Sequence, residues 1–320
     1  MSAMATMTPT SLWMTFDIIT TIEIMVGLVV NAFIVSVMVI DFYAGRRLKP
    51  CDKILVGLGL SRSILDGMIL YRTFNRIFSF SVCSKYFWIF QSFQLFCDFS
   101  SLWLAMLLSL FYYVKTTIFT NPILLRFKLR MPDIILHAIA ASLLISLMSG
   151  LLFAWTGRYN SDILFFVQDP QKNRSYEINP TSTVPAFFFG HFVPFIITSI
   201  TTSLLIGNIT VHVKRIRSTI TSFSTPRVGA HLSAIRSVCL LHLITVVNLI
   251  ATIVFRFFHG HPIASYISSC IVNLYPTLHS AVLIFGNTKL RRAMLEILHH
   301  AKTLCGEHAT KPNLNGRTVS

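Results

Sequence analysis

Charge is what this sequence has least of. Of its 320 residues, 12% are Asp, Glu, Lys or Arg, about half the roughly 25% of an ordinary soluble domain. So little charge does not clothe a water-soluble surface, which excludes a cytosolic enzyme and a disordered chain. The six cysteines, Cys51, Cys83, Cys97, Cys239, Cys270 and Cys305, include no CxxC pair. No zinc or redox motif follows from them, and they read as small apolar residues. No glycine-rich phosphate loop occurs. Residues Met1 to Leu12 hold no basic residue to open a cleavable signal peptide, so the first apolar run is expected to remain as an anchor.

What is present in excess is hydrocarbon: 53% hydrophobic residues and a mean hydropathy of +0.66. A bilayer core needs about 20 apolar residues per helical span. Seven runs qualify: about Trp13 to Ile40, Ile54 to Phe74, Tyr86 to Val114, Ile134 to Trp155, Val184 to Val213, Ile235 to Phe255 and Ile263 to Phe285. They are too long and too continuous for the ten-residue alternation of a β-barrel. The expected fold is an all-α membrane protein, a seven-transmembrane helix bundle over residues 13–285. A short outer N-terminus (1–12) precedes it, and an amphipathic C-terminal helix and tail (286–320) follow. In that helix Leu290, Ala293, Met294, Ile297 and Leu298 share one face, which suits a helix lying on the inner leaflet against membrane lipid. From about Gly306 the chain is polar and expected to be disordered.

The net charge of +15 comes from 27 Lys+Arg against 12 Asp+Glu. These basic residues sit in short clusters between apolar runs and form no basic face of a soluble domain, so nucleic acid is not an expected partner. Nineteen lie in the three loops and tail on one side, seven in the other loops, and Arg62 lies within a span. Basic loops stay in the cytoplasm. The expected placement is a plasma-membrane protein with its tail inside and its N-terminus outside. Asn173-Arg174-Ser175, in the longest outer loop, is a potential glycosylation site.

Polar residues inside spans are expensive and mark function or a packing network. Here they are Glu23, Asn31, Arg62, Asp66, Asp98, Asn273, His279 and Ser280. A packing network suits Glu23, Asn31 and Arg62 better than catalysis, with Arg62 paired to a carboxylate or to backbone carbonyls. His137, His191, His242 and His279 occupy four different spans, so no metal site is expected. The seventh span has no lysine to carry retinal, and no catalytic constellation or cofactor site is evident. A small-solute transporter would be the alternative, but no internal repeat appears.

Particular strings then resemble a known family. Gly27-Leu28-Val29-Val30-Asn31-Ala32-Phe33-Ile34 looks like the first-helix motif of the bitter taste receptors, and Leu60-Ser61-Arg62 like their second-helix motif. Leu108-Ser109-Leu110-Phe111-Tyr112-Tyr113-Val114-Lys115 resembles the end of their third helix. Ala230-His231 and Ala234-Ile235 resemble the start of the sixth. Tyr275-Pro276-Thr277-Leu278-His279-Ser280, followed by Leu283-Ile284 and Asn287-Thr288-Lys289-Leu290, resembles the seventh. Two departures stand out: Ala105-Met106-Leu107-Leu108-Ser109 in the third helix, and Thr245 and Asn248 where the sixth-helix tyrosines usually are. Vomeronasal type 1 receptors are the nearest confusable family, without the Leu-Ser-Arg and Leu-His-Ser strings together.

The resemblance implies a G-protein-coupled receptor, not an enzyme, with no cofactor. Its partners would be bitter small molecules in the outer half of the bundle and a gustducin-type heterotrimeric G protein inside. It implies ligand contacts at Gln94, Leu95, Asp98 and Phe99 of the third helix, Phe187 and His191 of the fifth, Asn248 and Thr252 of the sixth, and Ser269 and Val272 of the seventh. Arg62, Pro276, His279 and Ser280, with Tyr113, Lys115, Lys214 and Arg217 at the inner opening, are the expected switch residues. Asp98 stands where relatives commonly carry asparagine. It is expected either to pair internally with Arg62 or Arg72, or to be protonated by burial, or to face the cavity ionised.

Overall fold

The computed structural model describes residues 9–78, 84–117, 122–159, 180–219, 226–257 and 262–309. They fold into helices α1 (Pro9–Tyr43), α2 (Pro50–Ile77), α3 (Ser84–Thr116), α4 (Pro122–Tyr159), α5 (Pro180–Phe187), α6 (Val193–Thr219), α7 (Pro226–Phe257), α8 (Pro262–Gly286) and α9 (Thr288–Ala309). A π-helical turn, Phe188–Phe192, joins α5 to α6. The described helices contain seven stretches long and apolar enough to cross a membrane, matching the seven expected. The fifth span comprises α5, the π-turn and α6; the sixth is α7 and the seventh α8.

The third span is the axle of the bundle, 67% buried against 28% for the first, fourth and sixth. Its Leu104, Leu107, Leu108 and Phe111 pack with Ile34 and Met38 of the first span, Ile54, Leu55 and Leu58 of the second, and Leu283 and Ile284 of the seventh. The outer faces follow helical spacing. Ile18, Ile22, Met25 and Val29 on the first span, and Leu240, Leu243, Val247 and Ile250 on the sixth, are exposed at alternating steps of three and four, the stripe a helix turns toward lipid.

Three details differ from the sequence expectation. Helix α4 begins at Pro122 and runs through Pro132, so the cluster Arg126, Lys128 and Arg130 is helical and not loop. A membrane-side helix tolerates the proline because neighbouring groups satisfy the freed carbonyl. The fifth span is interrupted by the π-turn. Helix α9 extends to Ala309, beyond the Gly306 expected to begin the tail; Leu290 is buried while Leu295, Ile297 and Leu298 are exposed.

The C-terminal end of the first span, the start of the second and the start of α9 are tied by charge. α1 terminates with Gly45 at φ 74°, where Arg46 N–H reaches the Asp41 carbonyl at 3.1 Å and Gly45 N–H reaches that of Phe42 at 3.1 Å, a glycine-terminated helix end. The Asp41 side chain takes Lys289 Nζ at 2.6 Å and Arg46 at 3.1 Å. Lys289 also reaches Asp52 at 3.2 Å, and Asp52 accepts the Lys49 backbone N–H at 3.3 Å. One lysine thus fastens the start of α9 to the first and second spans.

Spans three and four approach at Gly150, where an added Cβ would stand 3.1 Å from the Ser92 carbonyl oxygen and 3.3 Å from Phe96 N. Small residues at such contacts let membrane helices pack backbone to backbone. Gly150→Leu is therefore expected to destabilise the detergent-solubilised protein by about 1–3 kcal/mol, read as a lowered thermal midpoint. Gly67→Leu, at a site with nothing within 4 Å, should leave that midpoint in place.

Candidate functional site

Arg62 is fully buried, at 0% exposure, and the helices around it supply acceptors to its Nε and Nη1, while Nη2 has no hydrogen-bond partner among the described residues. Its Nε donates to Ser101 Oγ on the third span at 2.9 Å. Its Nη1 donates to Ser280 Oγ at 2.6 Å and to the Pro276 carbonyl at 3.4 Å. Nη1 also lies 3.3 Å from His279 Nδ1. A guanidinium has no acceptor, so Nδ1 accepts and the imidazole proton sits on Nε2. The Tyr275 ring lies beneath the guanidinium, 5.8 Å from centroid to Cζ, within cation–π range. The expected backbone-carbonyl partner is thus present. Lacking an N–H, Pro276 leaves the Val272 carbonyl one turn earlier without its helical hydrogen bond.

The relay continues. Ser280 Oγ donates to Asn31 Oδ1 at 2.7 Å. Asn31 Nδ2 donates to the Gly27 carbonyl at 2.9 Å and to Asp66 Oδ2 at 3.4 Å. Gly27 is required here, since a Cβ would fall within 3 Å of Thr277 Oγ1 and of Asp66 Oδ2. Four spans, the first, second, third and seventh, meet on this hub.

Above it lies a crevice lined by Leu102 and Ala105, by His191, Pro194, Phe195 and Thr198 of the fifth span, by Thr245, Asn248 and Leu249, and at its floor by Tyr275 and His279. Its free volume of about 20 Å³ admits a water molecule. A drug-sized ligand needs roughly 300 Å³ or more, so occupancy requires the walls to part.

The π-turn shapes the outer wall. It frees the Phe189 carbonyl, which accepts Trp103 Nε1–H at 3.1 Å. It places Gly190 flat against the Phe99 ring, where any Cβ would collide. His191 is thereby turned inward, edge-on to Phe99 and stacked on Phe187. Its Nε2 stands 3.4 Å from Asp98 Oδ2, close enough for an ion pair but off hydrogen-bond alignment.

Of the expected ligand residues, His191 and Asn248 line the crevice directly. Asp98, Phe99 and Phe187 surround His191, Leu95 packs with Phe99 and Ala186, and Thr252 is buried one turn above Asn248, donating to its carbonyl at 2.8 Å. Gln94 accepts from Arg72 at 3.5 Å. Ser269 and Val272 are half-buried on the seventh span. Asp98 Oδ2 has His191 Nε2 beside it at 3.4 Å, while the hydrogen bonds of Arg62 go to Ser101, Ser280, the Pro276 carbonyl and His279. At the inner end Tyr113 is half-buried, and the exposed Lys115 lies 5.9 Å from the Phe111 ring centroid. Lys214 and Arg217 belong to α6, their side chains outside the described residues, as is Asn173.

Sequence reasoning missed Ser101, Tyr275 as a guanidinium platform, Lys289 as a clamp, and Gly190. The last had a signal: a glycine beside histidine in the aromatic run Phe187 to Phe192.

Residues 7–302 match the family model described as Taste receptor protein (TAS2R). Among similar curated proteins, Taste receptor type 2 member 9 of Pongo pygmaeus is 30% identical over 297 residues, 88% of this chain and 92% of its own. Taste receptor type 2 member 39 of Homo sapiens is 26% identical over 278 residues, 85% and 82%. The fold resembles that of squid rhodopsin, with a TM-score of 0.61 at 12% identity, covering 93% of this chain and 88% of that one.

Coupling within the hub is measurable. Asn31→Ala and Ser280→Ala should each destabilise the protein, and the double variant should depart from the sum by about 0.5–3 kcal/mol. Additive losses would mean that the Ser280–Asn31 bond carries nothing.

Proposed function

Since this chain belongs to the taste receptor (TAS2R) family of bitter-sensing G-protein-coupled receptors, we propose that it binds its agonists in the outer crevice and activates a gustducin-type G protein at its inner face. The observation that supports this is shared walls. Tyr275 and His279 form the crevice floor and at the same time touch Arg62. A ligand that parts these walls acts on groups that hold four spans together. It shifts the population of states by its differential affinity for them.

The basic residues support the orientation, with the crevice on the outer side. The tail and the helix ends carrying Lys115 (α3) and Lys214 and Arg217 (α6) face the cytoplasm, where positive charge accumulates and meets anionic lipid as well as G protein. The exposed Leu295, Ile297 and Leu298 of α9 suit the same leaflet.

A screen of bitter compounds in cells with a calcium reporter tests the reading. Agonist binding to membranes should weaken when guanine nucleotide is added, whereas a transporter would be indifferent. His279→Ala should abolish signalling while surface expression persists; unchanged signalling would remove His279 from the switch. A tag after Ser320 should stain only in permeabilised cells, and Asn173→Gln should remove a glycan. A tail stained in intact cells would overturn the orientation.

A further inference from the structure

The fourth span carries ionisable groups on the face it turns away from the bundle. Met131 and Ile135 join the core around the third span, and Ser142 and Ser146 are buried along the same face. On the opposite side Arg130, Asp133 and His137 are exposed, in steps of three and four residues, and Ala140, Ala141 and Leu144 continue that stripe. Depth is fixed at one end. The apolar stretch begins at Lys128, whose Nζ donates at 2.7 Å to the Thr117 carbonyl just past the end of the third span. At about 1.5 Å per residue, Asp133 lies roughly 7 Å and His137 roughly 13 Å into the stretch. Ionisable side chains at such depth face the bundle interior or pair with one another. These do neither: Arg130, Asp133 and His137 have no ion pair or hydrogen bond among the described residues.

Lipid tails offer neither donor nor acceptor, so these groups need a polar partner from outside the chain. The stripe is its own complement. When two copies inserted in the same direction meet about a two-fold axis along the membrane normal, one patch faces its own image. Each residue then meets itself and the residues one turn away. Asp133 stands three residues after Arg130 and four before His137, so it faces a guanidinium on one side and an imidazole on the other, twice by symmetry. The alanines beyond let the two backbones approach. We infer that this stripe is a dimer seam, in which a second copy of this chain docks on the fourth span and each Asp133 pairs with the partner's Arg130 and His137. A sterol or a phospholipid would cover Ala140 and Ala141 but brings no base to Asp133 at this depth.

The full chain with a fluorescent tag, counted by stepwise photobleaching in cell membranes at low density, should give mainly two-step spots. Asp133→Asn should weaken association by roughly tenfold. Asp133→Arg should leave single steps at equal surface expression, and the exchange of Arg130→Asp with Asp133→Arg should restore pairs. A second measurement needs no change of charge. Ala141→Cys should give an oxidant-dependent dimer on a non-reducing gel, above the background of the native cysteines. Val29→Cys, on the first span at a residue 69% exposed, should not. Single steps in the unsubstituted chain overturn the seam. Two-step spots that Asp133→Arg leaves intact overturn it as well, since the copies then meet on another face. So does an exchange that reaches the surface without restoring pairs, or equal cross-linking at Ala141 and Val29. Labelling of this stripe by a photoreactive sterol on single-step spots would give it to lipid and overturn the dimer.

Discussion

One guanidinium, held where water is absent, organises this molecule. Burying an unpaired arginine is among the most costly acts a fold performs, so acceptors gather on its Nε and Nη1, with Nη2 alone left without one among the described residues. Ser101, Ser280, the Pro276 carbonyl, His279 and the Tyr275 ring come from two spans, and Asn31 extends the set to a third. The cooperative character follows from donor–acceptor order: Arg62 donates to Ser280, Ser280 to Asn31, and Asn31 to Gly27 and Asp66. Removing a middle member leaves a donor on one side and an acceptor on the other. The apolar core beneath, centred on Leu104 and Leu108, is shared by the same spans, so polar and hydrophobic ties reinforce one another.

The crevice and the hub overlap in two residues. Two sites couple when both bias an element that has distinct arrangements; the proposed function gives that part to Tyr275 and His279, which line the crevice and touch Arg62. Their position explains how a small volume can have a large effect. No long chain of intermediates is needed between ligand and network. The inner ends, in contrast, are pinned by Lys289 between Asp41 and Asp52, which keeps α9 registered to the first two spans while others move.

The spans and the polar members of the hub were legible in the sequence because lipid makes both conspicuous. Twenty apolar residues announce a crossing, and Asn31, Arg62, His279 and Ser280 stand out inside such runs. Ser101 did not stand out, since a serine in a span commonly bonds its own helix, as Ser142 and Ser146 do here. Asp98 was recognised as unusual, but its partner His191 depends on a π-turn, and the extra residue of such a turn leaves no mark in periodicity. Lys289 and Arg256 were counted as topological charge; composition records a charge but not the depth of its side chain. The start of α4 at Pro122 was hidden because its first turns are basic and fall below any hydropathy threshold.

The third and fifth spans are joined at two heights. Trp103 Nε1–H meets the Phe189 carbonyl toward the outside, and Ser109 Oγ meets Thr201 and Thr202 at 3.0 and 3.3 Å further in. Two pins on one seam define a hinge line. Sliding along the seam would break both, whereas turning about it strains neither. A displacement of the fifth span at His191 that keeps both bonds is therefore a rotation about the line through them.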